Sequence, residues 1–442
     1  METHKSCLVL SSKHPEHSAG LGRDLIKILQ NIGYDVDFLT LYKSDKSQKG
    51  FLYVYDTSSS FLKKIKNHLK KIYNLTGICK LRGMIRKLMI NKRKHKEEDI
   101  KICYPNENSP SVPVEDVIKN IKKNYKFIIT LFWDPMLNTT TLRSIYSKFN
   151  IPIIIYGLDM APMTGGCYYF RDCKRYQNGC GCCPALNSND PCDQSFKNFN
   201  KKKDNYDNMN IWWLGNTYMN YHLLKTQLIP ENHIFNVSLY MDESVFKPLD
   251  RVNLKRKHKI DDGSFIVLCQ SSYMKRKGTN DVISALRKLD NHKHARNIEI
   301  ISIGTDYLEE KMKGDGITVR NFGKVSADKL IELYNVAEVF LCGSLDDAGP
   351  SMVNQSILCG TPVVAYDSGT AMDVIVNGKS GFKGEKGDPD ILFEGMKQIY
   401  SLSELDYLKL RESTRKIALE LNSLKSGEKK FSRIIEVINT KI

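Results

Sequence analysis

No run of 18 apolar residues occurs in this 442-residue chain, which excludes a hydrophobic helix long enough to cross a bilayer. The first residues hold only a four-residue apolar run, Cys7 to Leu10, too short for the core of a secretory signal. That run is expected to be a first strand over 7–11, and the protein is expected to stay in the cytoplasm. No segment repeats at a fixed period, so stacked-repeat architectures are not indicated. Residues 61–96 contain no acid at all, against thirteen Lys or Arg. Two readings of that stretch stand. One is a basic amphipathic element that docks on an anionic membrane surface; the other is a solvated insertion. Nucleic acid is not expected as a partner, because no recognition module accompanies the charge.

What is present suggests two domains. The length exceeds one ordinary core, and 41% apolar residues suffice to build two. The net charge of +16 favours anionic partners such as acidic lipid headgroups and phosphorylated substrates. Apolar runs at 125–132, 151–156 and 337–342 read as buried parallel strands, and 210–214, 264–270, 299–304 and 317–322 as further strands. They alternate with helical patterns at 23–32, 140–149 and 328–336, which makes the fold α/β. The first βαβ unit has Gly20 and Gly22 in its loop, 14–22. They serve either close approach to a ligand or turn geometry alone. The charged stretch 249–259 reads as an interdomain hinge, and the tail from 403 onwards as helical.

Six of the 12 cysteines crowd between 167 and 192. Cys167, Cys173, Cys180 and Cys183 give the spacing C-x5-C-x6-C-x2-C. Four thiolates suit a structural zinc with no open position; disulfides and free thiols are the other readings.

The chain is organised around residues 344–366. There a strand is followed by an acidic loop with Asp346 and Asp347, a helix over 351–358 begun by Pro350 and capped by Gly360, and another strand. The amides of Ser351, Met352 and Val353 would sit at the helix N-terminus, above the carboxyl ends of the strands, where anions bind. Asp347 and Gln355 stand eight apart.

This stretch resembles the signature of the family 4 retaining glycosyltransferases, which have the GT-B architecture. Cys359-Gly360-Thr361-Pro362-Val363-Val364 matches that signature to the letter. Asp347 replaces its first Glu and Gln355 its second. Residues 157–167 resemble the subgroup that builds bacterial surface polysaccharides, with Leu158 where a His usually stands and Asp159 retained. Asp159 is thus the nearer catalytic candidate, or else a loop cap. Lys277-Gly278 matches the family's diphosphate-binding Lys-Gly. Ser272 stands at the Arg position, so that contact is lost or supplied by Lys275 or Arg276.

The resemblance implies two doubly wound Rossmann-like domains facing a cleft. Residues 1–248 would form an acceptor-side domain, with the basic insertion 61–96 and a Cys-rich insertion 157–200. Residues 249–405 would bind the nucleotide sugar, and helices over 406–442 would cross back. It implies transfer of a sugar from a nucleotide-sugar donor to a saccharide or lipid-linked acceptor, in capsule, exopolysaccharide or O-antigen synthesis, with the protein peripheral on the inner face of the membrane. Lys277, Gly278, Arg276 and the amides of Ser351, Met352 and Val353 would bind the donor diphosphate. Asp347 would hold the donor sugar, Gln355 the ribose, and Gly20 and Gly22 would line the cleft. No cofactor is required for transfer, so a cysteine-bound zinc would be structural. A non-catalytic sugar-nucleotide-binding scaffold and a sugar-nucleotide epimerase are the alternatives.

Overall fold

The computed structural model describes residues 5–43, 50–55, 107–207, 209–291 and 296–441; the basic stretch 61–96 lies outside them. The strands of the first sheet are β1 (Ser6–Ser11), β2 (Asp35–Tyr42), β3 (Phe51–Tyr55), β4 (Ile128–Thr130), β5 (Ile153–Tyr156), β6 (Ile211–Gly215) and β7 (Ile234–Asn236). They run parallel in the order β3-β2-β1-β4-β5-β6-β7. The second sheet comprises β8 (Phe265–Ser271), β9 (Ile298–Gly304), β10 (Thr318–Asn321), β11 (Val339–Cys342), β12 (Val363–Tyr366) and β13 (Gly381–Gly384). These are parallel too, in the order β10-β9-β8-β11-β12-β13. Both domains are therefore doubly wound and Rossmann-like.

The continuous apolar runs follow from burial on both faces. Successive residues of a strand point to opposite sides, so one run feeds two cores. In β6, Trp213 packs under one face with Ile153 and Leu142, while Trp212 packs under the other with Ile154 and Ile28. The second sheet repeats this: Leu268 and Phe340 lie on one side, Val267 and Leu341 on the other.

Three expectations need correction. The first helix is assigned over His17–Asn31 and begins six residues earlier than Arg23, so Gly22 lies within it; Gly20, at φ +86, keeps the left-handed backbone of a turn inside that first stretch. A Cβ on Gly22 would come 2.8 Å from the Cα of Pro15, so this glycine lets the helix start pack on its own entry segment. The apolar run 125–132 yields only three ladder residues, because Tyr125 turns its hydroxyl to Asp37 and the rest approaches the sheet or leaves it. The supposed hinge 249–259 contains a helix, Arg251–Lys257, with Asp250 as its cap. Arg251 and Lys255 both pair with the buried Glu338, which fastens the segment to the second domain.

The chain crosses between domains elsewhere. The helix Glu404–Asn422 stays with the second domain, contributing Tyr407, Leu410 and Ala418 to its cores. After Ser423 the helix Leu424–Thr440 lies on the first domain, where Phe431, Ile434, Ile435 and Ile438 join the core beside Leu25 and Ile28. The two crossing strands meet: the Met241 amide donates to the Asn422 carbonyl at 2.8 Å. No helix among the described residues is long and apolar enough to cross a membrane.

The last helix should therefore stabilise a domain more than 180 residues away in sequence. Phe431 is 1% exposed, so Phe431→Ala is expected to cost the first domain about 3–5 kcal/mol. All three tryptophans (Trp133, Trp212 and Trp213) lie in that domain, so denaturant titration followed by their fluorescence checks it. An unchanged midpoint would show that the helix merely rests on the surface.

Candidate functional site

The order of each sheet reverses at one point: between β1 and β4 in the first, and between β8 and β11 in the second. Ligands of open α/β sheets bind outside such points, at the carboxyl ends of the strands. In the second domain this brings together two loops far apart in sequence. Residues 272–278 follow β8, and 343–350 follow β11. The amide of Leu345 donates to the carbonyl of Arg276 at 2.8 Å. Gly278 has φ +61, and a Cβ there would overlap the carbonyl oxygen of Gly343, so only glycine allows this approach.

Asp347 projects from the second loop and is 6% exposed. Its Oδ2 lies 2.5 Å from Lys277 Nζ and 3.2 Å from Arg276 Nη1. Burial alone would raise its pKa; the two cations outweigh that and hold the carboxyl below its ordinary range. Arg276 is sandwiched, since its guanidinium also lies 4.0 Å from the ring centre of Tyr169 in the first domain.

In front of this pair is an interdomain cavity of about 190 Å³. Lys277, Asp347, Gly349 and Ser351 line it from the second domain; Leu21, Phe132, Leu158, Tyr169 and Asn216 line it from the first. The helix Ser351–Leu358 points its N-terminus here, with no side-chain cap. The amides of Ser351 and Met352 make no hydrogen bond to the described residues, but that of Val353 is taken by the Pro350 carbonyl at 2.8 Å. Val353 is thus removed from the expected set of free donors.

The remaining expected residues are placed less directly. Gln355 is 2% exposed, its Oε1 accepts from the Tyr334 hydroxyl at 2.9 Å, and it does not line the cavity. Its register on the helix turns it into the core. Leu21 reaches the cavity; its neighbours Gly20 and Gly22 do not. Asp159 sits one residue behind the lining Leu158, and its Oδ1 accepts from the Ala161 amide at 2.9 Å, as a loop cap does. Burial nevertheless pushes its carboxyl up to about 6.

Cys167, Cys173, Cys180 and Cys183 all line one small cavity of about 30 Å³. As the side chains stand, no three His, Cys, Asp or Glu among the described residues are grouped to hold a metal ion.

Sequence reasoning missed the interdomain seam. Asp346 accepts from the Arg171 amide at 2.7 Å and from the Tyr218 hydroxyl at 3.2 Å. Asn216 caps the helix Thr217–Leu224 and donates to the Ala348 carbonyl. Thr217 bonds Asp373 through both its amide and its hydroxyl. It also missed Lys202, fully buried, which donates to the carbonyls of Ala161 (2.6 Å) and Thr164 (2.8 Å) and pairs with Glu107. A lysine within Lys201-Lys202-Lys203 gives no sign of burial.

Residues 250–419 match the family Glycosyl transferases group 1. One curated relative is the N-acetyl-alpha-D-glucosaminyl L-malate synthase of Bacillus anthracis, 24% identical over 161 residues, which is 36% of this chain and 42% of that protein. The chain spans about two fifths of the length of the curated relatives it matches. Among solved structures, Anabaena HepE in complex with UDP and glucose superposes with a TM-score of 0.63 at 13% identity, over 98% of this chain and all of that one. WaaG, a glycosyltransferase involved in lipopolysaccharide biosynthesis, gives 0.56 at 15% identity, over 97% and 99%. The two-domain GT-B architecture follows from these likenesses and from the two parallel sheets.

The raised pKa of Asp159 has a measurable consequence. The fold favours its protonated form, so the penalty for charging it sets in as pH rises through about 4 and is fully developed above about pH 7. Asp159→Asn is expected to exceed the native chain by on the order of 1 kcal/mol near pH 4.5 and on the order of 3 kcal/mol at pH 8. Urea midpoints at the two pH values check this; a gain equal at both would place the cause outside titration.

Proposed function

We propose that the protein is a retaining glycosyltransferase that moves a sugar from a nucleoside-diphosphate sugar to a saccharide or lipid-linked acceptor in the assembly of a bacterial surface polysaccharide. The observation that carries the reading is the meeting, in one interdomain cavity, of an ionised buried carboxylate, a lysine and uncapped helix amides. The match of the second domain to the group 1 family supports it, as does the likeness to a protein whose structure holds UDP and glucose.

In this reading the bond from the sugar's anomeric carbon to the diphosphate oxygen breaks. A bond to the acceptor oxygen forms on the same face, and the acceptor's proton passes to the leaving diphosphate. Lys277 and the amides of Ser351 and Met352 stabilise the charge developing on that diphosphate. Asp347, ionised and so only an acceptor, takes a hydrogen bond from a hydroxyl of the donor sugar. The Lys277–Asp347 contact holds both groups in place before the donor arrives. A ribose contact by Gln355 would require its oxygen to leave Tyr334. The cavity of about 190 Å³ is smaller than the ~300–1,000 Å³ usual for ligand clefts, so a whole donor enters only when the domains part.

A panel of nucleoside-diphosphate sugars tests the proposal. At least one should raise the melting temperature and release nucleoside diphosphate when acceptor glycan is added. Asp347→Ala should keep the native circular dichroism and lose turnover by about a hundredfold or more. Native turnover in that variant, or a panel in which no donor stabilises the protein, would overturn the assignment.

A further inference from the structure

Residues 157–193 join β5 to the helix Gln194–Tyr206 with no strand or α-helix, only short 3-10 turns at Ala161–Met163, Arg175–Asn178 and Pro184–Leu186. This segment nevertheless supplies Tyr169 to the interdomain cavity and the Arg171 amide to Asp346. Lys202 holds its start through the carbonyls of Ala161 and Thr164, Asp193 its end through the Cys183 amide, and the cysteines lie between. We propose that Cys167, Cys173, Cys180 and Cys183 bind one structural zinc ion that fixes this segment against the second domain. The inference goes beyond the transfer reaction and does not depend on it.

Two observations carry it. Six cysteines lie in the segment, and the four that line the cavity of about 30 Å³ are those four, from different parts of the loop; Cys182 and Cys192 lie outside it, Cys182 donating to the Asn189 carbonyl. None of the six is in a disulfide. The backbone between them is also strained. Gly179, Cys180, Gly181 and Cys182 follow one another at φ 92, 66, 88 and 42, and each left-handed non-glycine residue costs about 1–3 kcal/mol unless its surroundings enforce it. A metal gripping Cys180 and Cys183 supplies that enforcement.

The Gly165 amide already donates to Cys180 Sγ at 3.2 Å, and Arg175 lines the same space. The four sulfurs do not stand at ligand positions, so thiols must turn inward. A change of staggered rotamer moves a sulfur by about 3 Å, and a zinc–sulfur bond is ~2.3 Å long. Each thiol gives up its proton on binding, leaving a tetrahedral four-thiolate site with no open position.

The full chain, expressed in zinc-supplemented medium and desalted, should carry about one zinc per chain by mass spectrometry of the metal. Cys167→Ser and Cys180→Ser should lower that at least about tenfold, while Cys182→Ser and Cys192→Ser leave it unchanged. Should the first two fail to fold, cobalt loading of the native chain gives an independent readout: sulfur-to-cobalt charge-transfer bands and tetrahedral d–d absorption. Less than about a tenth of a zinc per chain, iron in its place, a disulfide among the four on thiol counting, or equal loss in all four variants would each overturn the proposal.

Discussion

The site depends on a carboxylate placed where water scarcely reaches it. Burying Asp347 is costly unless it is paired, and Lys277 and Arg276 pair it from the loop after β8. The pairing is possible because β8 and β11 are hydrogen-bonded neighbours although some seventy residues separate their loops. Topology thus brings the cations to the acid. The Leu345–Arg276 backbone bond and the two opposed glycines, Gly278 and Gly343, then set the distance. Lys277 and Arg276 thus stand at the N-terminal end of the helix Ser351–Leu358, whose own positive end suits an anion as well.

The strands were legible because burial on both faces leaves continuous apolar runs such as Ile153-Ile154-Ile155, whose members feed two cores. The acidic loop and its helix were legible because Pro350 and Gly360 punctuate it. The misreadings have one physical source: local composition says nothing of what a segment later rests upon. Residues 249–259 look like a solvated hinge, yet become a helix held by Glu338, an acid eighty residues on. Gly22 looks like a turn residue, yet sits inside a helix whose entry Pro15 and Phe38 crowd, whereas Gly20 at φ +86 does keep a turn backbone. Gln355 has the right spacing from Asp347, but its helix register presents it to Tyr334 and the core. Lys202 carries the same charge as its neighbours, and only tertiary structure separates it from them.

The cavity's first-domain wall is irregular where its second-domain wall is regular. Lys277, Asp347 and Ser351 are held by strand ends and a helix start, whereas Tyr169 and Arg171 come from a loop without strand or α-helix. That loop is anchored at both flanks. Lys202 grips the carbonyls of Ala161 and Thr164, and Asp193 accepts from the Cys183 amide at 2.7 Å while capping the helix behind it. Rigidity is thus imported into the wall from a helix that never touches the cavity.

The same wall closes on the second domain through few and weak bonds. Asn216, Thr217 and Tyr218, three consecutive residues, reach Ala348, Asp373 and Asp346 respectively. Hydrogen bonds of this kind are each worth about 0.5–1.5 kcal/mol net, somewhat more to a carboxylate, and apolar contact adds to them, since Ala348 is buried in the first domain's core and Met372 packs against it. The covalent crossings are at 237–246, whose Val237, Leu239 and Met241 also line the cavity, and at Ser423, where Met241 and Asn422 are bonded side by side. The Lys277–Asp347 pair lies wholly within the second domain, so the charged half of the site does not depend on the seam for its geometry.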